Sequence, residues 1–176
     1  MHGPEAAAPP RAAAAAPSPD GCERWIESGH FAMTTGQSCE LPAGHYTLER
    51  LQLDPGAHVT PRGPVWLELT GSGPFSIASG AIAPPSAPQD LVIESRTTAE
   101  LLLAGGEWRA LVFAPRARVT LGDGASFEGG LVSGALALGA NTRLLADPRA
   151  TETALYIADF TEDDWRAEPA TSSTSR

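Results

Sequence analysis

The sequence predicts an all-β fold: a single-stranded, right-handed parallel β-helix (β-solenoid) of about five coils with N- and C-terminal caps. Three observations predict it. The first is an apolar-x-apolar-x-x-Gly/Asn unit that occurs as Leu51-x-Leu53-x-x-Gly56, Phe75-x-Ile77-x-x-Gly80, Leu101-x-Leu103-x-x-Gly106, Val119-x-Leu121-x-x-Gly124 and Leu136-x-Leu138-x-x-Asn141. Two alternating apolar residues make a short strand with one buried side. The Gly or Asn three places later supplies a positive-φ corner. Copies start 24, 26, 18 and 17 residues apart, the length of one solenoid coil. The second observation is a column in step with the first: Val65-Trp66-Leu67, Leu91-Val92-Ile93, Leu111-Val112-Phe113 and Leu131-Val132-Ser133, with Leu155-Tyr156-Ile157 as a frayed fifth copy. Two strand columns with a common period argue for stacked coils, and an irregular antiparallel sandwich is the competing architecture. The third is composition: 18 Gly and 16 Pro, without long helical periodicity, suit many short strands joined by tight turns.

The elements follow in chain order. Residues 1–21 read as an Ala/Pro linker. Pro9, Pro10, Pro17 and Pro19 interrupt the apolar Ala12–Ala16 run, so the stretch lacks the apolar core of a secretion signal. Residues 22–40 read as an N-terminal cap in which Trp25, Ile26, Phe31 and Met33 cover the first coil, since an open coil end exposes strand edges. Cys22 and Cys39 lie 17 residues apart and are expected to form a disulfide stapling this cap; two reduced, unrelated thiols are the other reading. The paired reading implies an exported protein. The solenoid spans residues 41–150. Its second coil carries the loop Pro84-Pro85-Ser86-Ala87-Pro88-Gln89-Asp90, which leaves the stack because proline cannot donate to a ladder. Residues 151–176 read as an acidic C-terminal cap around Ala154–Trp165, followed by a Ser/Thr tail.

Net charge is −9, and all twelve basic residues are arginine. A nucleic-acid partner requires a basic face, and the sequence offers none. The longest uncharged run, Leu69 to Gln89, is broken by Pro74, Pro84, Pro85 and Pro88, so no membrane insertion is expected. No Cys/His metal spacing or cofactor motif occurs, and no cofactor is expected.

Strand parity raises the main functional question. If positions 65/67, 91/93 and 111/113 face the core, then Trp66, Val92, Val112 and Val132 stack outside as an apolar ladder. Such a ladder requires a cover. The candidates are the chain's own Trp25 or Ala154–Trp165 segment, and a protein partner or larger surface assembly. Glu68 and Glu94 follow their copies of the second column and are expected to stack one coil apart. Like charges that close repel, so either a cation bridges them or Arg62, Arg96 or Arg116 pairs with them. His45, His58 and Asp54 read as surface turn residues, and nothing fixes Ser126, His58 and Asp123 as a triad. Trp66 and Trp108 admit a glycan ligand, although core or cap contacts account for both. No catalytic residue is assigned.

One stretch carries a family resemblance: Leu111-Val112-Phe113-Ala114-Pro115-Arg116-Ala117-Arg118-Val119-Thr120-Leu121, continuing Gly122-Asp123-Gly124-Ala125-Ser126-Phe127-Glu128-Gly129-Gly130-Leu131-Val132. It resembles the "YAPNAxVxLxGxAxFxGxxV" block of bacterial surface β-solenoids associated with type IV pili, the PilX-like and MshQ-like modules. Cys39-x-Leu41-Pro42-x-Gly44-x-Tyr46 resembles the start of such modules, and Leu136 to Asp147 their closing coil, where the Asp of a terminal His-Tyr-Asp is shared. The resemblance implies a non-catalytic parallel β-helix on the cell surface or in the envelope, acting in pilus biogenesis, adhesion or display. A bactofilin-like polymer and a small polysaccharide-binding or polysaccharide-active β-helix are the alternative functions.

Overall fold

The structure, a computed structural model, describes residues 21–147; most of the linker and the whole acidic cap, with Leu155-Tyr156-Ile157, lie outside the described residues. Eleven strands form one continuous sheet: β1 (Ile26–Glu27), β2 (His30–Met33), β3 (Ser38–Leu48), β4 (Arg50–Leu53), β5 (His58–Leu69), β6 (Phe75–Ile77), β7 (Leu91–Ser95), β8 (Leu101–Leu103), β9 (Gly106–Leu121), β10 (Ala125–Leu138) and β11 (Arg143–Ala146). Every pairing between them is parallel except β1 with β2. The chain is a β-solenoid of about six turns.

Each full coil contributes to three columns. The first is the apolar-x-apolar unit: β2, β4, β6, β8 and the C-terminal parts of β9 and β10 stack in register, with Met33 on Leu53, Leu53 on Ile77, Ile77 on Leu103, Leu103 on Leu121 and Leu121 on Leu138. The second holds the N-terminal parts of β3, β5, β9 and β10 together with β11. The third holds the C-terminal parts of β3 and β5, then β7 and the middles of β9 and β10. In the third coil the second column shrinks to one bridge, Val59 with Ile82. The proline loop leaves the ladder there and returns through a short 3-10 helix, Pro88–Asp90.

The corners behave as the repeat requires. Gly56, Gly80, Gly106, Gly124 and Asn141 all have positive φ, between 58° and 103°. They also stack: the Gly124 N–H donates to the Ala140 carbonyl at 2.8 Å, and the Gly36 N–H to the Gly56 carbonyl at 3.0 Å. Gly36 reveals a sixth copy, Phe31-x-Met33-x-x-Gly36, inside the stretch read as cap. Phe31 and Met33 are therefore interior residues of the first rung, both fully buried, and the solenoid has six rungs where five were expected.

The interior is one narrow apolar column from Cys22 to Phe127. Trp108, expected as a core or cap residue, lies in it with its indole N–H donating to the Ala104 carbonyl at 2.8 Å. Each fully buried Leu or Phe contributes roughly 1.5–3 kcal/mol by leaving water. The interior changes character toward the last rung, where Leu136, Leu138 and Leu144 are 42 to 52% exposed among the described residues.

One expected register is corrected. Aligning the look-alike triplets placed Val112 outside, over Val92. The structure pairs Ile93 with Val112 and Val112 with Leu131, and Val112 is 2% exposed in the core. The inward set in coil four is Ala110, Val112 and Ala114, so Leu111 and Phe113 point outward. Volume explains the shift: Trp108 fills this coil from the second column, and small alanines flank Val112 where Leu and Phe would overpack the interior. Val132 points outward as expected, but it stacks under Phe113 in the neighbouring file, not under Val112.

The N-terminal end is closed by the 3-10 helix Cys22–Trp25, by β1 folding back on β2, and by the Cys22–Cys39 disulfide, whose Cα atoms are 5.0 Å apart. The expected bridge is thus present and ties the cap to β3. Replacing both cysteines with serine is expected to lower stability by about 3 kcal/mol, the loop-entropy value for a link of this span. A lower urea midpoint is the expected readout, with a slope that rises because the unbridged unfolded chain exposes more surface; an unmoved midpoint contradicts it.

Beneath the cap, the Tyr46 hydroxyl donates to the Pro42 carbonyl at 2.9 Å. Burial, followed by the negative charge of Glu23, raises its pKa above the ordinary 10.0. A raised folded value favours the neutral phenol, so its contribution is complete below pH 10 and is lost as pH rises through the folded value. Tyr46→Phe is expected to flatten the alkaline fall in stability; an unchanged alkaline limb contradicts this.

Candidate functional site

The outer surface of the third column is the candidate site, because it breaks the in-apolar, out-polar rule along most of its length. Parity and pairing set it out in two files. One runs His45, Trp66, Val92, Leu111, Gly130; the other runs Thr47, Glu68, Glu94, Phe113, Val132. Four of the five outward positions in coils three to five that carry side chains are apolar. Trp66 and Val92 stand where the sequence placed them, and Leu111 takes the place assigned to Val112. Val92 and Leu111 form an apolar cluster separate from the interior, with Trp66 packed against it. Val92 is 7% exposed and Leu111 2%, although both side chains leave the outer face of the sheet.

The polar half of the strip lies toward the cap. His45 Nε2 is 3.1 Å from Glu68 Oε2, Thr47 Oγ1 donates to the same oxygen at 3.2 Å, and the His45 and Trp66 rings are 5.1 Å apart. Glu68 and Glu94 are direct rung partners, as expected. Each carboxylate has its own neighbour: His45 and Thr47 hold Glu68, while Arg96 Nε donates to Glu94 Oε1 at 2.8 Å. Glu94 is 3% exposed, so the Arg96 guanidinium offsets a carboxylate that would otherwise be costly to bury. Among the described residues no group of three or more His, Cys, Asp and Glu is arranged to hold a metal ion.

Other charges link rung to rung around the tube. Arg109 pairs with its rung partner Glu128 at 3.1 Å, Arg118 lies 3.9 Å from Glu100, and Arg62 bonds Glu40. The Arg62 hydrogen bond holds the Glu40 carboxyl below its usual pKa. Such exposed pairs add little to stability, because water and salt screen them. At the cap, Arg24, Trp25, Glu27, Ser28, His30 and Ala32 line an open depression of about 480 Å³, with the Arg24 guanidinium 4.9 Å from the Trp25 ring centre. His45 is drawn into the strip; His58 and Asp54 stay at the second corner, Asp123 lies in the turn before β10, and Ser126 stands on β10 in coil five while His58 opens β5 in coil two, so the three are not brought together. No helix among the described residues is long and apolar enough to cross a membrane.

Sequence reasoning missed Leu111 and Phe113 as outward residues. The one signal that could have found them is volume, since Ala110 and Ala114 are the only small pair of equal parity flanking this run. No known protein family, curated protein or solved structure matches this chain.

Proposed function

We propose that this chain is an exported, non-catalytic structural or adhesive module that works by shape, presenting a rigid ladder on the cell surface or in the envelope. The observation that carries the reading is the six-rung parallel stack closed at one end by a disulfide-tied cap. Disulfides persist in oxidising compartments, which supports export. Arg62 with Glu40 and Arg109 with Glu128 pair across rungs, an arrangement suited to stiffness. The block from Leu111 to Val132 supports the finer reading, a surface module of the kind associated with type IV pili, acting in biogenesis, adhesion or display. A protein partner or a larger surface assembly is its expected context.

The test is made in the native cell. Cys22 and Cys39 are expected to resist alkylation until reduced, and the chain to be reached by protease added to intact cells. Its deletion is expected to lower adhesion or surface piliation. A cytoplasmic chain with free thiols overturns the reading.

A second reading, a bactofilin-like polymer, draws on the exposed leucines of the last rung. Head-to-tail stacking needs both ends open, and the N-terminal cap stands in its way. Light scattering that stays flat with concentration favours the module; unbounded growth favours the polymer.

A further inference from the structure

We infer that the capped end of the tube holds a copper(I) site that forms when the Cys22–Cys39 bridge is reduced, with the two thiolates and the Met33 thioether closing on one soft monovalent ion. The inference depends on the fold and the bridge and stands apart from the adhesive reading. Met33 Sδ lies 3.5 Å from Cys39 Sγ, and the Cα atoms of the two cysteines are 5.0 Å apart. Cys22, Met33 and Cys39 are 0, 1 and 5% exposed and share the interior cluster. The chain has two cysteines and two methionines, so every sulfur beyond Met1 meets at this one point. Packing alone does not call for sulfur here. Above Met33 the same file carries Leu53, Ile77, Leu103, Leu121 and Leu138, and the rung partner of Cys39 is Val59. A hydrocarbon fills the equivalent place in every later coil; the thioether occurs only beside the bridge.

The three donors differ in how they are held. Met33 and Cys39 are fixed by the ladders with β4 and β5, whereas Cys22 rides on a four-residue 3-10 turn. Three sulfurs around one ion, each at about 2.3 Å, stand about 4 Å apart. Met33 and Cys39 are close to that separation, and the turn supplies the movement Cys22 needs. In the bridged form neither cysteine has a thiolate to offer. A dithiol reductant gives the bridge two electrons and two protons; the S–S bond breaks, two thiols remain, and the reductant leaves as its own disulfide. Apolar burial keeps those thiols neutral. Copper(I) then displaces both protons to solvent as two Cu–S bonds form, and the Met33 thioether adds as a neutral third ligand. The donor set selects the metal. Thiolate and thioether are soft and suit copper(I). Zinc completes four ligands, and among the described residues no group of three or more His, Cys, Asp and Glu is arranged to hold a metal ion. Calcium and magnesium require oxygen donors, which the three sulfurs do not supply.

Copper(I) titration of the full-length chain tests this. The chain is reduced with a phosphine, freed of it in the absence of air, and titrated with copper(I) against bicinchoninate. The reduced chain is expected to take one ion and the bridged chain none, with the red luminescence of a water-shielded copper(I) thiolate. X-ray absorption is expected to count three sulfur neighbours at the metal. Met33→Leu repeats the side chain of the next rung and is expected to keep the amide pattern while reducing that count to two. It is expected to weaken copper(I) by about tenfold or more, since even groups behind a metal ligand carry that much. No uptake by the reduced chain, uptake by the bridged chain, or an ion shared between two chains overturns the site. So does a Met33→Leu chain with unchanged affinity and sulfur count, or loss of the rung-to-rung amide pattern on reduction.

Discussion

Val112→Asp is expected to abolish the native fold at room temperature, while Leu102→Asn leaves stability within about 0.5 kcal/mol. Val112 sits in the interior between Ile93 and Leu131 on the adjacent rungs. A carboxylate there has no partner and no water, and the cost exceeds about 4 kcal/mol whether the group stays charged or takes up a proton. Domain stabilities of about 5–15 kcal/mol leave little after such a loss. Leu102 lies outward on the first column between Ser76 and Thr120, with about a third of its surface in water. The pair of substitutions therefore reads strand parity directly. Circular dichroism melts and urea titrations check it. A folded Val112→Asp chain of normal stability would mean that Leu111 and Phe113 are the inward residues of coil four.

Gly129→Ala is the second large effect. Gly129 has φ of +144°, and a Cβ built on it lies 1.9 Å from the Ala110 carbonyl oxygen of the adjacent rung and 3.2 Å from the Pro88 Cβ. The carbonyl belongs to the β9 backbone directly opposite Gly129, so it cannot move without disturbing the β9–β10 ladder. Steric overlap and an unfavourable backbone conformation act together, and the expected loss is about 3 kcal/mol or more. Hydrogen exchange is expected to rise first in coils five and six and less in coils one to three, because a solenoid rung depends on its nearest neighbours. Uniform protection equal to the unsubstituted chain contradicts the close approach of these rungs. Gly124, where a Cβ meets nothing within 4 Å, is the control: there Ala costs only its left-handed φ.

The first column was legible because its strands are three or four residues long and alternate cleanly between buried and exposed positions. A glycine or asparagine with positive φ then marks each corner. The same pattern was present at Phe31-x-Met33-x-x-Gly36, but aromatic and sulfur side chains before a regular repeat read equally well as a lid. Their role depends on the rung they meet, Leu51 and Leu53, which is a long-range fact. The third column was legible in existence and not in phase. From Ala110 to Ala114 five consecutive residues are buried, so alternation carries no parity, and only the fit beside Trp108 decides it. The rung pairing of Glu68 with Glu94 could be read because coils two and three share the phase of the copies. The pairing of Glu94 with Arg96 turned on local geometry at the end of β7. Cys22 and Cys39 were paired from spacing and context, and the cap they tie is built by a 3-10 turn that no periodicity announces.

The central claim is a single stack of parallel, in-register rungs, and the most direct measurement of it is the backbone NOE pattern across the first column of the full-length chain. Between Met33, Leu53, Ile77, Leu103, Leu121 and Leu138, each rung is expected to show amide-to-Hα contacts with the rungs above and below, evenly spaced as in parallel ladders. Strong Hα-to-Hα contacts between these residues would mark antiparallel partners and contradict the solenoid.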